Sequence, residues 1–331
     1  MRPLLEAESR VWSDRLHWDY RGSADLLLQY LDSRVLPGYV AVESGRITGY
    51  VFCVYEGHKA VIGDVFAVGA PALRASQAAY TGDSGSSAGE VRDELLRRLM
   101  EMLQHTPGVT RIESQLLLHP HGAHAEVFEE AGFEVHERLF MEWPMDPLRW
   151  RSGSAFDGGP GHDGKPPAGM EVRRWIDSDF APAARLIASA YQGHLDSHIN
   201  EQYRTASGSQ RFLHNIVRFP GCGYFDPDSS RTLLRRGSQE LAGLLLCSRV
   251  RENVGHVTQI CVASQYRGAG LGRLLMQECA GNLAKRGFKL LTLTVTASNR
   301  NAVRLYEHLG FRQTHHFDAM VWDKPGERPA F

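Results

Sequence analysis

Apolar residues recur along this 331-residue chain with two periods, every second position and every third or fourth, and the two periods alternate in the same order twice. In the second half, residues 171–176 read as a strand and 180–191 carry apolar positions at helical spacing, with a further helical stretch over 212–219. Residues 232–235 and 241–250 form a hairpin around Gly237-Ser-Gln-Glu, and 256–263 continue the sheet. After the stretch QYRGAGLG (265–272), Leu271, Leu275, Cys279 and Leu283 recur at four-residue spacing on one helix face that Gly287 ends. Residues 289–296, KLLTLTVT, are a buried strand, 301–309 a short helix stopped by Gly310, and 311–322 a returning strand.

The first half repeats this order. Residues 38–43 and 47–54 form a hairpin across the Ser44-Gly-Arg turn, 61–68 are the next strand, 91–103 the long helix and 111–117 a further strand. Residues 124–131 are then a short helix closed by Gly132-Phe133. Setting AEVFEEAGF (125–133) over VRLYEHLGF (303–311) matches Glu, Gly and Phe. Together with the shared element order, this favours duplication of one α/β unit.

Between the halves, residues 152–169 read SGSAFDGGPGHDGKPPAG, with almost nothing to bury, and are taken as a linker between domains 1–151 and 170–331. A hydrophobic share of 43% suits two domains with their own cores, and a formal net charge of −1 implies no global attraction to nucleic acid or an anionic membrane. Cys53, Cys222, Cys247, Cys261 and Cys279 are scattered, never spaced C-x-x-C, and read as reduced thiols of a cytoplasmic protein. Charges interrupt every apolar stretch of the amino terminus and no 18-residue apolar run follows, so neither a signal peptide nor a membrane span is expected.

The candidate chemistry sits at QYRGAGLG. A glycine-rich turn between strand and helix offers unsatisfied amides and the positive end of the helix dipole, a ready anion site. The dinucleotide fingerprint needs a third glycine three residues after the second, but position 273 is Arg, and LLTLTVT lacks an acidic residue for a ribose. A P-loop is disfavoured because no Gly-Lys-Ser/Thr follows.

What fits is Gln-x-x-Gly-x-Gly, spelled by Gln265, Gly268 and Gly270 directly after Ile260-Cys261-Val262. With Asn299 and the Tyr306-x-x-x-Gly310-Phe311 ending in register, residues 170–331 resemble the GNAT superfamily of acyl-CoA-dependent N-acetyltransferases. The resemblance implies two tandem GNAT-like α/β domains, each a mixed, mostly antiparallel twisted sheet flanked by helices. It implies acetyl-CoA as cofactor, with the amides of Arg267, Gly268, Ala269, Gly270, Leu271 and Gly272 cradling its pyrophosphate. The strand end Ile260, Cys261 and Val262 pairs with the pantetheine arm, and the Val262 amide polarises the thioester carbonyl. Asn299 either contacts the cofactor or simply caps the helix after it. Tyr306 matches the family's general acid, against the alternative of an aromatic on a buried helix face.

The general base is open at this level. His256 is the nearest candidate on its strand, with Glu252 or the acidic Asp196 and Glu201 reached through water as alternatives. The expected reaction is direct attack by the primary amine of a small molecule or peptide, with no covalent enzyme intermediate, because Cys261 alternates to the face opposite Ile260 and Val262. In the first half, residues 71–89 replace the glycine motif, Phe128 stands at the place of Tyr306 and His121 at that of Asn299, so an inactive copy is expected. His119, His121 and His124 read as loop residues with no metal. Alternatives are a non-enzymatic acyl-CoA-binding regulator, a mycothiol-synthase-like enzyme suggested by tandem architecture, or a protein amino-terminal acetyltransferase suggested by the SN…LY…GF ending. The oligomeric state is left open.

Overall fold

The structure is a computed structural model that describes residues 1–69, 86–145, 166–218, 223–238 and 240–326. Chain contacts group into two compact units, Met1–Arg138 with His316–Phe331, and Leu139–His315.

The first unit begins with helices α1 (Arg2–Leu16) and α2 (Arg21–Asp32). Strands β1 (Gly38–Glu43), β2 (Arg46–Glu56) and β3 (Lys59–Ala67), helix α3 (Ser86–His105), strand β4 (Arg111–Gln115) and helix α4 (Ala125–Glu130) follow. Its sheet is completed by the later part of the chain's last strand, β12 (Arg312–Asp323), where Ala319 to Asp323 pair antiparallel with Gln115 to Arg111. Ser44 (φ 50°) and Gly45 (φ 76°) make the β1–β2 turn, the second being a backbone region that glycine enters without a Cβ penalty.

The second unit takes the later part of β5 (Glu134–Pro144) and then β6 (Met170–Arg174), helices α5 (Phe180–Ala190), α6 (Asp196–Ile199) and α7 (Ala206–Arg218), and β7 (Tyr224–Phe225). It continues through β8 (Arg231–Arg235), β9 (Leu241–Arg251), β10 (Val254–Val262), α8 (Leu271–Lys285), β11 (Leu290–Thr296) and α9 (Arg300–Leu309). The strand order is β5-β11-β10-β9-β8-β6, with β7 beside β9. The period of two in β9 divides the core. Leu244 and Leu246 pack under α5 and α7 with Ala183, Ile187 and Leu213, whereas Leu245 and Cys247 pack with Leu275, Cys279 and Leu283 of α8.

The grouping of the chain does not follow a cut at residues 152–169, of which 152–165 lie outside the described residues. Each half lends its last strand to the other unit. Leu139, Met141 and Trp143 of β5 belong to the core around α8, and Met320 and Trp322 of β12 to the core around α3. Each unit repeats one local arrangement: in one, Trp143 lies against Gly310 and Phe311; in the other, Trp322 lies near Gly132, with Phe133 in the same core. These parallel placements support duplication more strongly than the three sequence matches.

In each unit one parallel strand pair separates part-way. β10 pairs with β11 from Val254–Leu290 to Val257–Leu293, after which β10 runs on to Val262 on its β9 side alone. β3 pairs with β4 from Lys59–Arg111 to Ile62–Ser114, and then runs on to Ala67 beside β2. On the part of β3 that runs past β4, Asp64 is buried and interacts with Glu8. Tyr50 donates a hydrogen bond to the fully buried Glu8, and burial raises the pKa of both Glu8 and Asp64, that of Asp64 to about 6.

Because the folded state holds these protons more tightly than the unfolded chain, the stability they confer is complete below the unfolded carboxylate pKa and is lost as pH rises through about 6. The loss from Asp64 is on the order of 2–3 kcal/mol at pH 8. Thermal unfolding at pH 5 and pH 8 should therefore show a lower midpoint at pH 8, and Asp64→Asn should shrink that difference. An undiminished difference in the variant would show that Asp64 is not its source.

Candidate active site

The opening between β10 and β11 in the second unit collects most of the residues singled out in the sequence. Gly268 (φ 79°) and Gly270 (φ 73°) both sit in the left-handed region, and Gly270 is the residue from which α8 starts. No side chain caps α8. A Cβ on Gly268 would meet nothing within 4 Å, so glycine is needed there for its backbone angle, with open space above it. Ser264, Gln265 and Tyr266 form a single 3-10 turn leading into this loop. Arg267 anchors it from behind, with Nη2 donating to the Ala190 carbonyl at 2.5 Å and Nε to the Val262 carbonyl at 3.3 Å. Its side chain thus braces the loop. Leu271 is buried at the start of α8, and Gly272 lies 3.6 Å, measured from an added Cβ, from Leu305 of α9.

The strand edge has a defined direction. Ala263 donates its amide to Ala242 of β9, so by alternation the Val262 amide points the other way, into the opening. Ile260 and Val262 pack on the α8 side and Cys261 on the α5 side, as the period of two requires. Burial pushes the Cys261 thiol up to about 12, which keeps it protonated and a poor nucleophile.

Tyr306 is buried in α9 with its ring 5.8 Å from that of Phe311. Asn299 caps α9, its Oδ1 accepting the Ala302 amide at 3.3 Å, and its Nδ2 lies 3.5 Å from Nε2 of His194.

His256 is elsewhere. It pairs with Ser248 and Thr292, within the part of β10 that is closed on both sides, and its Nδ1 contacts the Thr292 hydroxyl at 2.8 Å. Its ring stacks on Phe140, and burial lowers its pKa to about 3. An imidazole so weakly basic stays neutral near pH 7 and cannot take an amine's proton effectively. The expectation of His256 as general base is corrected on that ground. Glu252 lies in the exposed β9–β10 turn.

Three residues that sequence reasoning passed over sit at the opening instead. Tyr191, just after α5, donates its hydroxyl to Gln259 Oε1 at 2.8 Å and lies 3.4 Å from the Ile260 carbonyl. Burial raises its pKa well above the usual tyrosine value, and Tyr203, Asp196, Cys261 and Tyr306 act on it electrostatically, which places these groups in one neighbourhood. Asp196 Oδ1 accepts from the Thr296 hydroxyl at 2.5 Å, and the Asp196 amide donates to His194 Nδ1 at 3.1 Å. The signal for Gln259 was present, as a polar residue amid the apolar run of β10; Tyr191 and His194 were hidden because a helix end and a loop carry no periodicity.

The three histidines of the first unit go to different partners. His119 Nε2 lies 2.9 Å from the Val65 carbonyl, His121 Nδ1 2.5 Å from Asp318, and His124 Nδ1 2.6 Å from Asp93. His121 thus holds a carboxylate of β12, and Phe128, at the place of Tyr306, packs edge-on to Phe133. The replaced glycine segment, 71–89, lies outside the described residues as far as residue 85. Cys222 is likewise outside them, and the other four cysteines are free and buried. Among the described residues no helix is long and apolar enough to cross a membrane.

Residues 192–311 match the model of the acetyltransferase (GNAT) family. The mycothiol acetyltransferase of Thermobifida fusca is 33% identical over 46% of this chain and 55% of that protein. The [ribosomal protein bS18]-alanine N-acetyltransferase of Escherichia coli K12 is 46% identical over 16% of this chain and 36% of that protein. The chain thus spans about half or less of the length of these curated relatives. Among solved structures, a GCN5-related N-acetyltransferase from Sphaerobacter thermophilus superposes with a TM-score of 0.59 at 17% identity, covering 98% of this chain and 94% of that one. A tandem GNAT protein from the clavulanic acid biosynthesis pathway gives 0.51 at 16%, covering 89% and 84%. At such identities these two establish the fold, in tandem form. The family match covers the opening, the glycine turn and α9, and so assigns residues 192–311 to the acetyltransferase (GNAT) family.

Proposed function

We propose that the second unit transfers an acetyl group from acetyl-CoA to a primary amine by direct attack, and that the first unit is an inactive copy. The observation that carries this is the conjunction, at one strand opening, of a left-handed glycine turn at the start of α8 with an inward-facing Val262 amide and the buried Tyr306. The residues present fit the cofactor. An uncapped helix start with open space above Gly268 suits a pyrophosphate, and a strand edge released from β11 suits an extended amide-bearing arm. When bound, acetyl-CoA supplies an activated acetyl thioester.

The chain's own groups then have separate tasks. Amides from Arg267 to Gly272 hold the diphosphate, and Val262 N–H stabilises negative charge on the carbonyl oxygen. As the amine's C–N bond forms and the C–S bond breaks, Tyr306 gives its hydroxyl proton to the departing thiolate. Asp196, set by the Thr296 hydroxyl, would hold the incoming ammonium and pass its first proton to water, in the role expected of His256; the second proton, lost from nitrogen as the amide forms, would restore the Tyr306 hydroxyl. The buried Cys261 takes no part.

Gly270→Asp is expected to weaken acetyl-CoA binding at least tenfold by calorimetry, since it sets a carboxylate where an anion must sit, at the positive end of α8. Unchanged affinity in a folded variant would refute the cradle. Binding without turnover across an amine panel, with no effect of Tyr306→Phe, would identify a non-enzymatic acyl-CoA binder instead.

A further inference from the structure

The amide group of Gln259 is satisfied on one side only. Gln259 is 5% exposed, and its Oε1 accepts both the Tyr191 hydroxyl at 2.8 Å and the Ile260 amide at 2.9 Å. Those two bonds fix the orientation of the group, because a flipped amide would set N–H against the Ile260 N–H. Its Nε2 is buried and has no hydrogen-bond partner among the described residues. A buried donor left unmade is costly, and its persistence beside a strand opening indicates an acceptor that arrives with a ligand.

The position of Gln259 indicates which ligand. Along β10, Gln259 and Cys261 share the face under α5, and Tyr191 reaches Gln259 from that side. Ile260 and Val262 face α8, the helix that the glycine turn opens. Gln259 therefore enters the opening from the α5 side, that of Tyr191, His194 and Asp196, its Oε1 closing the Ile260 amide while the Val262 amide further along stays turned into the opening. What meets it there is the acceptor amine. A neutral N–H donor near a carboxylate suits an uncharged oxygen and disfavours an anionic one, which Asp196 would repel.

We propose that Gln259 is a specificity determinant whose Nε2–H donates to a carbonyl oxygen borne next to the amino-bearing carbon of the acceptor. The acceptor is then an aminoacyl amide or a peptide amino terminus, its ammonium facing Asp196, and neither a simple alkylamine nor a free amino acid. Tyr191 is a positioning residue that holds the amide in place. This rests on the acyl-transfer reading of the same site.

The test compares alaninamide, isopropylamine and alanine as acceptors for wild type, Gln259→Glu and Gln259→Met, with acetyl-CoA affinity measured alongside. Gln259→Glu retains the acceptor for Tyr191 and Ile260 while removing the donor, so one variant survives if the other fails to fold. Wild type should prefer alaninamide at least tenfold in kcat/KM. Both variants should lose about tenfold on alaninamide, mainly through KM, with isopropylamine turnover and acetyl-CoA affinity unchanged. Equal losses on both amines, or wild-type preference for alanine or isopropylamine, overturns the proposal. Calorimetric binding of alaninamide is read independently of turnover. If no amine is acetylated the acyl-transfer reading fails, while loss of alaninamide binding in Gln259→Glu still supports the carbonyl contact and unchanged binding still overturns it.

Discussion

Tyr306→Phe is expected to lower kcat on the amine substrate by about a hundredfold or more while leaving acetyl-CoA affinity within about twofold. The substitution removes one oxygen and nothing else. The ring keeps its place beside Phe311 and within the core that includes Val303 and Leu309, so stability should fall by little more than a net hydrogen bond, about 1 kcal/mol. The size of the kinetic effect follows from the leaving group. A thiol of pKa about 8.5 departs more readily with a proton delivered as the bond breaks, and positioned general acids are worth roughly 10²–10⁴. Steady-state kinetics on the variant, with thermal unfolding as the control, decides the matter. An unchanged kcat would assign Tyr306 to packing alone and shift the proton donor to another group, such as Tyr191, on which Tyr306 acts electrostatically.

The elements with clean periodicity were legible in the sequence, and so were the glycines at their ends. The four-residue spacing of Leu271, Leu275, Cys279 and Leu283 specifies a helix with one apolar face, and all four are buried in the core. Gly310 has positive φ, as a glycine that stops a helix should, and Gly270 has it too, a left-handed entry to α8 that glycine alone takes without a Cβ penalty. Sequence reading missed α1 and α2, where charged residues break the apolar face, and it missed β5, whose first part (Glu134-Val-His-Glu-Arg138) is largely polar. It also placed His256 by distance along the strand, which carries no information about closure by β11 or about desolvation. Tyr191 and Gln259 form a contact between residues 68 apart in sequence, and no periodic signal encodes such a pair.

The strand exchange yields the second large effect, because it makes the location of damage differ from the location of the mutation in sequence. Trp143 precedes residues 152–169, yet its ring lies 5.3 Å from Phe311 and within 3.1 Å of the point a Cβ on Gly310 would occupy. Trp322 sits near the far end of the chain, yet it packs in the core with Ile112, Phe128 and Phe133. Replacing a buried tryptophan by alanine costs about 3–5 kcal/mol, through lost burial and the cavity left behind. Trp322→Ala should therefore raise hydrogen exchange in peptides of α3, β4 and α4 while sparing α8 and β11. Trp143→Ala should do the reverse, deprotecting α8, β11 and α9, and it should lower acetyl-CoA binding because the helix that begins at Gly270 rests on that core. Exchange measured by mass spectrometry on the intact chain separates the two patterns. If Trp143→Ala instead loosened the peptides of α3 and β4, the halves would be closed on themselves at the linker and the exchanged arrangement would be refuted.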